Sequence, residues 1–351
     1  MQENIAPEAF GSACEGVSKA MWVFGRREAA DVPELWTAMP SGLSGGDGLC
    51  ASQAGILPLH GAAESGLVLE FQAKQAFDWL VPWWNADTAG SGRLDLQVQV
   101  RTQSGWSRWY DMETWGASSS SHSGGDELAK VDTDILKLTV PADGFRLNIR
   151  LSGACVLHRC GVIARDSKTL RPPTDLSKLT VKDNPAPRRS QKVEDPSIKG
   201  RICSPTSVSM ALESLGINLP THFVAADCHD EGDKMYGNWP FNVASLWRLG
   251  ARARLDFFPN TGMAAGEILK GRLLIASVRF AEGVLDGAPM KSTNGHLILV
   301  RGLVKDESGE WRVLVNDPAA ATPEETPRRY LVSQFDKAWT GVAYVVEGSR
   351  R

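Results

Sequence analysis

Cys203, His296 and Asp317 are the residues of this chain whose types and order could do covalent chemistry. A thiol attacks carbon as the thiolate, so it needs a neighbour that takes its proton. Imidazole is the side chain that exchanges protons near neutrality, and a carboxylate can hold the ring in one orientation. Together the three would make an activated nucleophile able to form a thioester with an acyl group. Each must then be carried by an element that fixes its position.

The stretch Arg201–Gly216 supplies the element for the thiol. Val208, Ala211, Leu212 and Leu215 recur at i, i+3, i+4 and i+7, one apolar stripe of a helix. Pro205 suits a first turn and Gly216 suits the position just past the end, so the spacing predicts a helix starting within a residue or two of Cys203. Free N–H groups and a partial positive charge at that end both favour a thiolate. A helix end contributes up to about 2 kcal/mol, roughly 1.5 pKa units, which leaves a thiol only partly ionised at neutral pH. A histidine must therefore be near, and the chain has six.

His296 follows the turn residues Asn294-Gly295 and opens the apolar run Leu297–Val300. A titratable ring at the mouth of a buried strand is held rigidly and still reaches a cleft. The next strand-like run, Trp311–Asn316, ends on Asp317. An antiparallel pairing would bring Asp317 beside His296, where it would accept the Nδ1 proton. Asn316 is an alternative orienter, because neighbours on a strand face opposite ways. The order Cys, His, Asp on helix, strand and strand is that of papain-like enzymes.

Composition places these elements in a two-domain protein. Leu67–Phe71, Leu94–Val100 and Phe145–Leu151 alternate apolar and polar residues, which means antiparallel strands with one wet face. Residues 1–164 therefore read as an all-β sandwich, jelly-roll-like. Residues 165–200 are rich in proline and charge and read as a linker. Residues 201–351 read as an α+β domain. A net charge of −3 without a basic run argues against nucleic acid as partner. No window is long and apolar enough to span a membrane. The first residues lack the basic start and apolar core of a signal peptide, so the cytoplasm is the default, export requiring a start upstream.

The remaining candidates read more simply. Six cysteines in this length form no disulfide framework, and Cys155 and Cys160 are either bridged across a turn or buried singly. His60, His122 and His158 stand in no motif. Asp132 and Asp134 could touch a cation, though a solvated pair is the simpler reading. Cys228-His229-Asp230 lacks a second half and reads as a solvated loop rather than a metal site. The first domain holds eight of the twelve tryptophans, and Phe77–Asn85 could build an aromatic platform for sugars or peptides. Burial in the core is the preferred reading. Phe10, Trp22 and Trp36 are expected to pack on the strands C-terminal to them.

Four blocks resemble one family: Cys203-Ser204-Pro205-Thr206-Ser207, Gly237-Asn238-Trp239-Pro240-Phe241-Asn242, Lys291-Ser292-Thr293-Asn294-Gly295-His296 and Val315-Asn316-Asp317-Pro318-Ala319. They look like the bacterial cysteine peptidases that are stand-alone relatives of the bacteriocin-processing, double-glycine-leader peptidases. The resemblance covers roughly residues 191–347, and the front domain more loosely. It implies a papain-like fold with Cys203 as nucleophile, His296 as general base and Asp317 as orienting acid. It also implies an oxyanion-hole glutamine six residues before the nucleophile. That register holds Ser197, and Gln191 further upstream is the candidate if the chain between bulges out. Tyr236, Trp239 and Asn294 are candidates for the substrate groove, with Tyr236 and Trp239 equally readable as core. The implied reaction is hydrolysis of a peptide bond in a peptide or protein, with no metal or other cofactor. Two alternatives stay open: a cell-wall-directed amidase or transpeptidase using the same residues, and a non-catalytic protein binding carbohydrate or cell-wall peptide through the first domain.

Overall fold

The period-two runs of the first half form antiparallel strands, because alternate side chains of a strand face opposite sides. The structure, a computed structural model, describes residues 20–27, 34–42, 49–52, 55–58 and 65–350, with side chains from 66 onward. Phe10 and His60, and the side chains of Trp22 and Trp36, lie outside the described residues. The described residues divide into two compact units. Those of the first fall within Met1–Glu28, Pro33–Thr169 and Asp230–Lys234, and those of the second within Leu170–His229 and Met235–Arg351.

The first unit is built of β1 (Ala20–Arg27), β2 (Glu34–Gly42), β3 (Leu49–Ser52), β4 (Gly55–Pro58), β5 (Ser65–Thr102), β6 (Gly105–Trp106), β7 (Tyr110–Gly116), β8 (Ser120–Ser121), β9 (Gly124–Gly125), β10 (Ala129–Asp132) and β11 (Ile135–Arg165). All pair antiparallel, in the order β1-β2-β11-β5-β7-β8 along the main path. β5 and β11 are long and bent, and they meet twice: Leu147 stands opposite Leu69 on one side and Val98 on the other. Leu94, Leu96, Val98 and Val100 face inward, while Val68 and Glu70 face out. Trp79, Trp83, Trp84 and Trp115 are buried. Phe77–Asn85 is therefore core and does not form an exposed platform. Cys155 and Cys160 are free, buried thiols on β11.

The second unit folds as α+β. Its elements are β12 (Lys182–Asp183), α1 (Cys203–Ser214), α2 (Thr221–Asp227), α3 (Trp239–Arg248), β13 (Ala251–Phe257), α4 (Thr261–Leu269), β14 (Leu273–Phe280), β15 (Thr293–Lys305), β16 (Trp311–Asn316), β17 (Pro327–Leu331), α5 (Val332–Ala338) and β18 (Trp339–Ser349). The strands form one antiparallel sheet, β13-β18-β14-β15-β16-β17, with β12 beside β15. β15 is thus flanked by β14 and β16, and α1 packs against it.

Much of the stretch expected as a linker belongs to this unit. Its proline-rich backbone has few N–H groups to give, so its carbonyls accept instead. Asn260 Nδ2 donates to the Pro172 carbonyl at 2.8 Å and Asn316 Nδ2 to that of Pro187 at 2.8 Å.

Trp83 is fully buried in the first unit, with Arg159 over its ring at 4.9 Å. Trp83→Ala should therefore cost about 3–5 kcal/mol, the usual range for deleting a large aromatic from a core. A drop in the denaturant midpoint of the first unit, followed by tryptophan fluorescence, measures it.

Candidate active site

α1 begins on Cys203 itself, and Gly216 follows its end with a φ of 81°, where glycine carries no Cβ penalty. The first turn is fastened by Thr206, whose N–H and Oγ1 both donate to the Ile202 carbonyl, at 2.9 and 2.7 Å. Ser204 to Leu212 are all buried, well beyond the single apolar stripe of the sequence. The hydroxyls make this possible, since each finds a partner and so escapes the desolvation penalty. Ser209 Oγ donates to the Pro205 carbonyl at 2.8 Å, and Ser207 Oγ to that of Leu297 at 3.2 Å. Ser207 thereby ties the thiol's helix to the strand that carries His296.

Ser204 does the same on the other side. Its Oγ donates to Asn242 Oδ1 at 2.8 Å and lies 3.0 Å from the Tyr344 hydroxyl. Asn242 Nδ2 in turn donates to the carbonyls of Tyr236 and Asn238, at 2.9 and 2.7 Å. Asn238 caps α3 by accepting from the Phe241 N–H at 3.0 Å. The Gly237–Asn242 block thus serves as a brace for the start of α1.

His296 is buried on β15, just beyond a turn in which Gly295 N–H donates to Thr293 Oγ1 at 3.1 Å. The pairing of β15 with β16 puts Leu299 opposite Asn316 and brings Asp317 to the ring. His296 Nε2 donates to Asp317 Oδ1 at 2.7 Å, and Cys203 is hydrogen-bonded to His296. The expectation of an Nδ1 contact with Asp317 is corrected here: the carboxylate takes Nε2, which leaves Nδ1 as the ring nitrogen for the thiol. Asn316 faces the opposite way, toward the Pro187 carbonyl.

Asp317 is itself held from three sides. The Ala319 N–H donates to Oδ1 at 2.9 Å, the Tyr330 hydroxyl to Oδ2 at 3.3 Å, and its own N–H to the Thr326 carbonyl at 2.8 Å. Tyr330 carries no local sequence signal, because its part depends on the register of β17 against β16.

Charge follows from this geometry. Burial pushes the Cys203 thiol up, but the hydrogen bond and charge of His296, with the N–H groups of Leu297 and Ser204, outweigh it and hold the thiol below its ordinary value. Burial acts to lower His296, yet the charge and hydrogen bond of Asp317, then Cys203, raise it well above the ordinary imidazole range. Burial would raise Asp317, and His296, the Ala319 N–H and the Tyr330 hydroxyl keep it low. The other free thiols among the described residues go the opposite way: burial pushes Cys155 and Cys160 up to about 12, and raises Cys228 too.

Gln191 is tied to the residue that follows Asp317. Its backbone N–H donates to the Pro318 carbonyl at 2.9 Å, and its side chain is buried with Nε2 donating to the Lys199 carbonyl at 2.9 Å. The chain between it and Cys203 is taken up in turns, with Lys199 N–H donating to the Asp195 carbonyl and Arg201 N–H to that of Ile198. Tyr236 lies against His229 at 4.9 Å between ring centroids, with Arg201 5.6 Å from its ring. Trp239 is half-buried at the start of α3. Asn294 is exposed, and its carbonyl accepts from Arg279 Nε at 2.8 Å. Among the described residues no cluster of His, Cys, Asp and Glu has the makings of a metal site. No helix among them is long and apolar enough to cross a membrane.

The thiol, the imidazole and the carboxylate stand in one hydrogen-bonded chain, and all three lie within a stretch that matches a known sequence family. Residues 184–346 match the Peptidase_C39 like family, and residues 68–160 match the Peptidase C39 N-terminal domain. The second unit belongs to that peptidase family, and the protein is a cysteine peptidase. Among solved structures, a double glycine motif protease from an AMS/PCAT transporter, in complex with its leader peptide, matches 47% of this chain and 94% of its own, at 18% identity and a TM-score of 0.31. A C39-like peptidase from Bacillus anthracis matches 48% of this chain and 99% of its own, at 14% identity and a TM-score of 0.35. No curated protein matches the chain.

The sign of the shifts sets a pH window. The ion pair exists above the lowered pKa of Cys203 and is lost as pH rises through the raised pKa of His296, so kcat/KM should be flat across neutrality. Asp317→Asn removes the charge that raises the ring, and its alkaline limb should move to lower pH. Tyr330→Phe should lower kcat about fivefold with KM unchanged, the worth of one hydrogen bond of about 1 kcal/mol. Steady-state kinetics across pH reads both.

Proposed function

We propose that the protein hydrolyses peptide bonds through a papain-like Cys203-His296-Asp317 triad. The observation that carries this reading is the continuous hydrogen-bonded path from the Cys203 thiol through His296 to the buried carboxylate of Asp317. The thiolate adds to the scissile carbonyl, and the negative charge passes to the carbonyl oxygen. The imidazolium gives its Nδ1 proton to the departing amine as the C–N bond breaks, which leaves a thioester on Cys203. Water then loses a proton to the same nitrogen as it adds to the thioester. Collapse releases the carboxylic acid and restores the thiolate–imidazolium pair.

The oxyanion needs donors at the place where charge develops. In this reading the Cys203 N–H, free at the start of α1, is one and Gln191 Nε2 is the other. One of the two Nε2 hydrogens goes to Lys199, so the second remains for substrate. Tyr236, just before α3, and Trp239, at its first residue, would flank a bound peptide, with the exposed Asn294 two residues before His296. The first unit is best read as a folded-over sandwich, because Leu80–Ala86 is buried on both faces.

Cys203→Ala and His296→Ala should each abolish cleavage of a mixed peptide library followed by mass spectrometry. Acid quenching of the wild-type reaction should trap an acyl adduct on the Cys203 peptide. Gln191→Ala should lower kcat by about 10²–10³, the usual loss for one oxyanion donor. Cleavage that survives Cys203→Ala would overturn the reading.

A further inference from the structure

Residues 192–201 lead from Gln191 toward the start of α1, and none of them is buried. Their backbone closes on itself in turns, with the Glu194 N–H donating to the Gln191 carbonyl at 3.3 Å and the Ile198 N–H to that of Asp195 at 3.0 Å. Exposed loops are the least rigid parts of a fold, so this stretch does not by itself set the distance between its ends. The position of Gln191 relative to α1 has to be set by contacts on its other side.

Those contacts reach two sides. Ser190 is buried, and its Oγ donates to the Ala320 carbonyl while accepting from the Lys192 N–H at 3.0 Å. The Gln191 N–H donates to the Pro318 carbonyl at 2.9 Å. Both fasten the segment to the loop that follows Asp317. Arg189 fastens it to the helix of the thiol. Its Nε and Nη2 both meet Glu213 Oε2, at 2.7 and 2.6 Å, in the last turn of α1. Nη2 also donates to Asn218 Oδ1 at 2.7 Å, and Nη1 donates to the Leu219 carbonyl at 2.6 Å and to Thr221 Oγ1 at 3.3 Å. One partly buried guanidinium thus joins the segment of Gln191, the end of α1 and the loop that leads into α2. A planar fork holds all of these at once because its N–H directions are fixed, which an ammonium cannot do.

We propose that Arg189 is a positioning residue for the reaction: it holds Gln191 in register with the Cys203 N–H, so that both donate to one oxyanion. The inference rests on the reading of Gln191 as an oxyanion donor. Two donors on separate segments act together only if the segments are fixed to each other, and a misplacement of about 1 Å can cost about a hundredfold in rate. Arg189→Lys keeps the charge and can keep the Glu213 pair while losing the fork, so it loosens this register without abolishing it.

The test compares two reactions of the same thiolate on the full chain. Iodoacetamide is attacked at a saturated carbon and forms no oxyanion. 4-Nitrophenyl acetate is attacked at its carbonyl carbon: the C–S bond forms, the carbonyl oxygen takes the negative charge, and 4-nitrophenolate leaves with the electron pair of the C–O bond. Arg189→Lys should slow acylation of Cys203 about fivefold, the worth of one weakened hydrogen bond, and leave its alkylation unchanged. Gln191→Ala should slow acylation at least about tenfold, and adding Arg189→Lys to it should cost nothing more. A merely structural role would slow both reactions together, because the thiolate itself would be disturbed, and that result overturns the inference. Acylation that Arg189→Lys leaves unchanged overturns it too, as does an equal loss with and without Gln191. In each of these cases a loss on Gln191→Ala alone keeps the oxyanion reading of Gln191. If Gln191→Ala leaves acylation unchanged, that reading falls and the inference with it. Glu213→Gln removes the partner's charge without touching Arg189 and should act in the same direction, so the matter is decided even if Arg189→Lys does not fold.

Discussion

Three ionisable groups are removed from bulk water in the second unit, and each can keep its charge because the other two are there. Burial alone would neutralise the Cys203 thiol, the His296 imidazole and the Asp317 carboxylate, each by its own shift. Placed in hydrogen-bonded line, the cation in the middle offsets the cost of both anions. The condition is geometric, and the surrounding structure meets it. The ring sits on a central strand of the sheet, the carboxylate leaves the end of the next strand, and the thiol starts a helix packed on the same strand.

Holding that line requires a further layer of polar contacts. Ser207 pins α1 to the strand of His296, and Ser204 pins it to Asn242 and Tyr344. The Ala319 N–H holds the same carboxylate oxygen as the ring, and the Tyr330 hydroxyl holds the other. A satisfied buried network of this kind specifies one arrangement, because losing any member strands its partner without a hydrogen bond. The helix interior is therefore rich in serine and threonine at positions where propensity alone would favour other residues.

Much of this is legible in the sequence. Pro205, Gly216 and the apolar stripe place the start of α1 within a residue or two of Cys203, where it begins, and the run Trp311–Asn316 matches β16 residue for residue. The choice between Asn316 and Asp317 is not legible, because it depends on which face of the sheet each residue takes. The ring nitrogen that meets Asp317 escapes a sequence reading for a related reason: the direction from which the helix approaches the strand decides it, and no local pattern encodes that. α2 and α5 span seven residues each, too short for a 3.6-residue period to stand out. β13 alternates alanine with arginine, a strand pattern written in residues too small to draw notice. Tyr330 and the brace around Ser204 are long-range contacts, visible only once the strands are in register.

The central claim is that His296 keeps Cys203 ionised at neutral pH, and alkylation of that thiol across pH tests it most directly. Mass spectrometry of the Cys203 peptide, with Cys155, Cys160 and Cys228 as internal standards, gives its titration curve. The account predicts a midpoint well below the ordinary thiol value of about 8.5, rising when His296 is replaced by alanine. A midpoint at or above that value in the wild type, unmoved by His296→Ala, would contradict it.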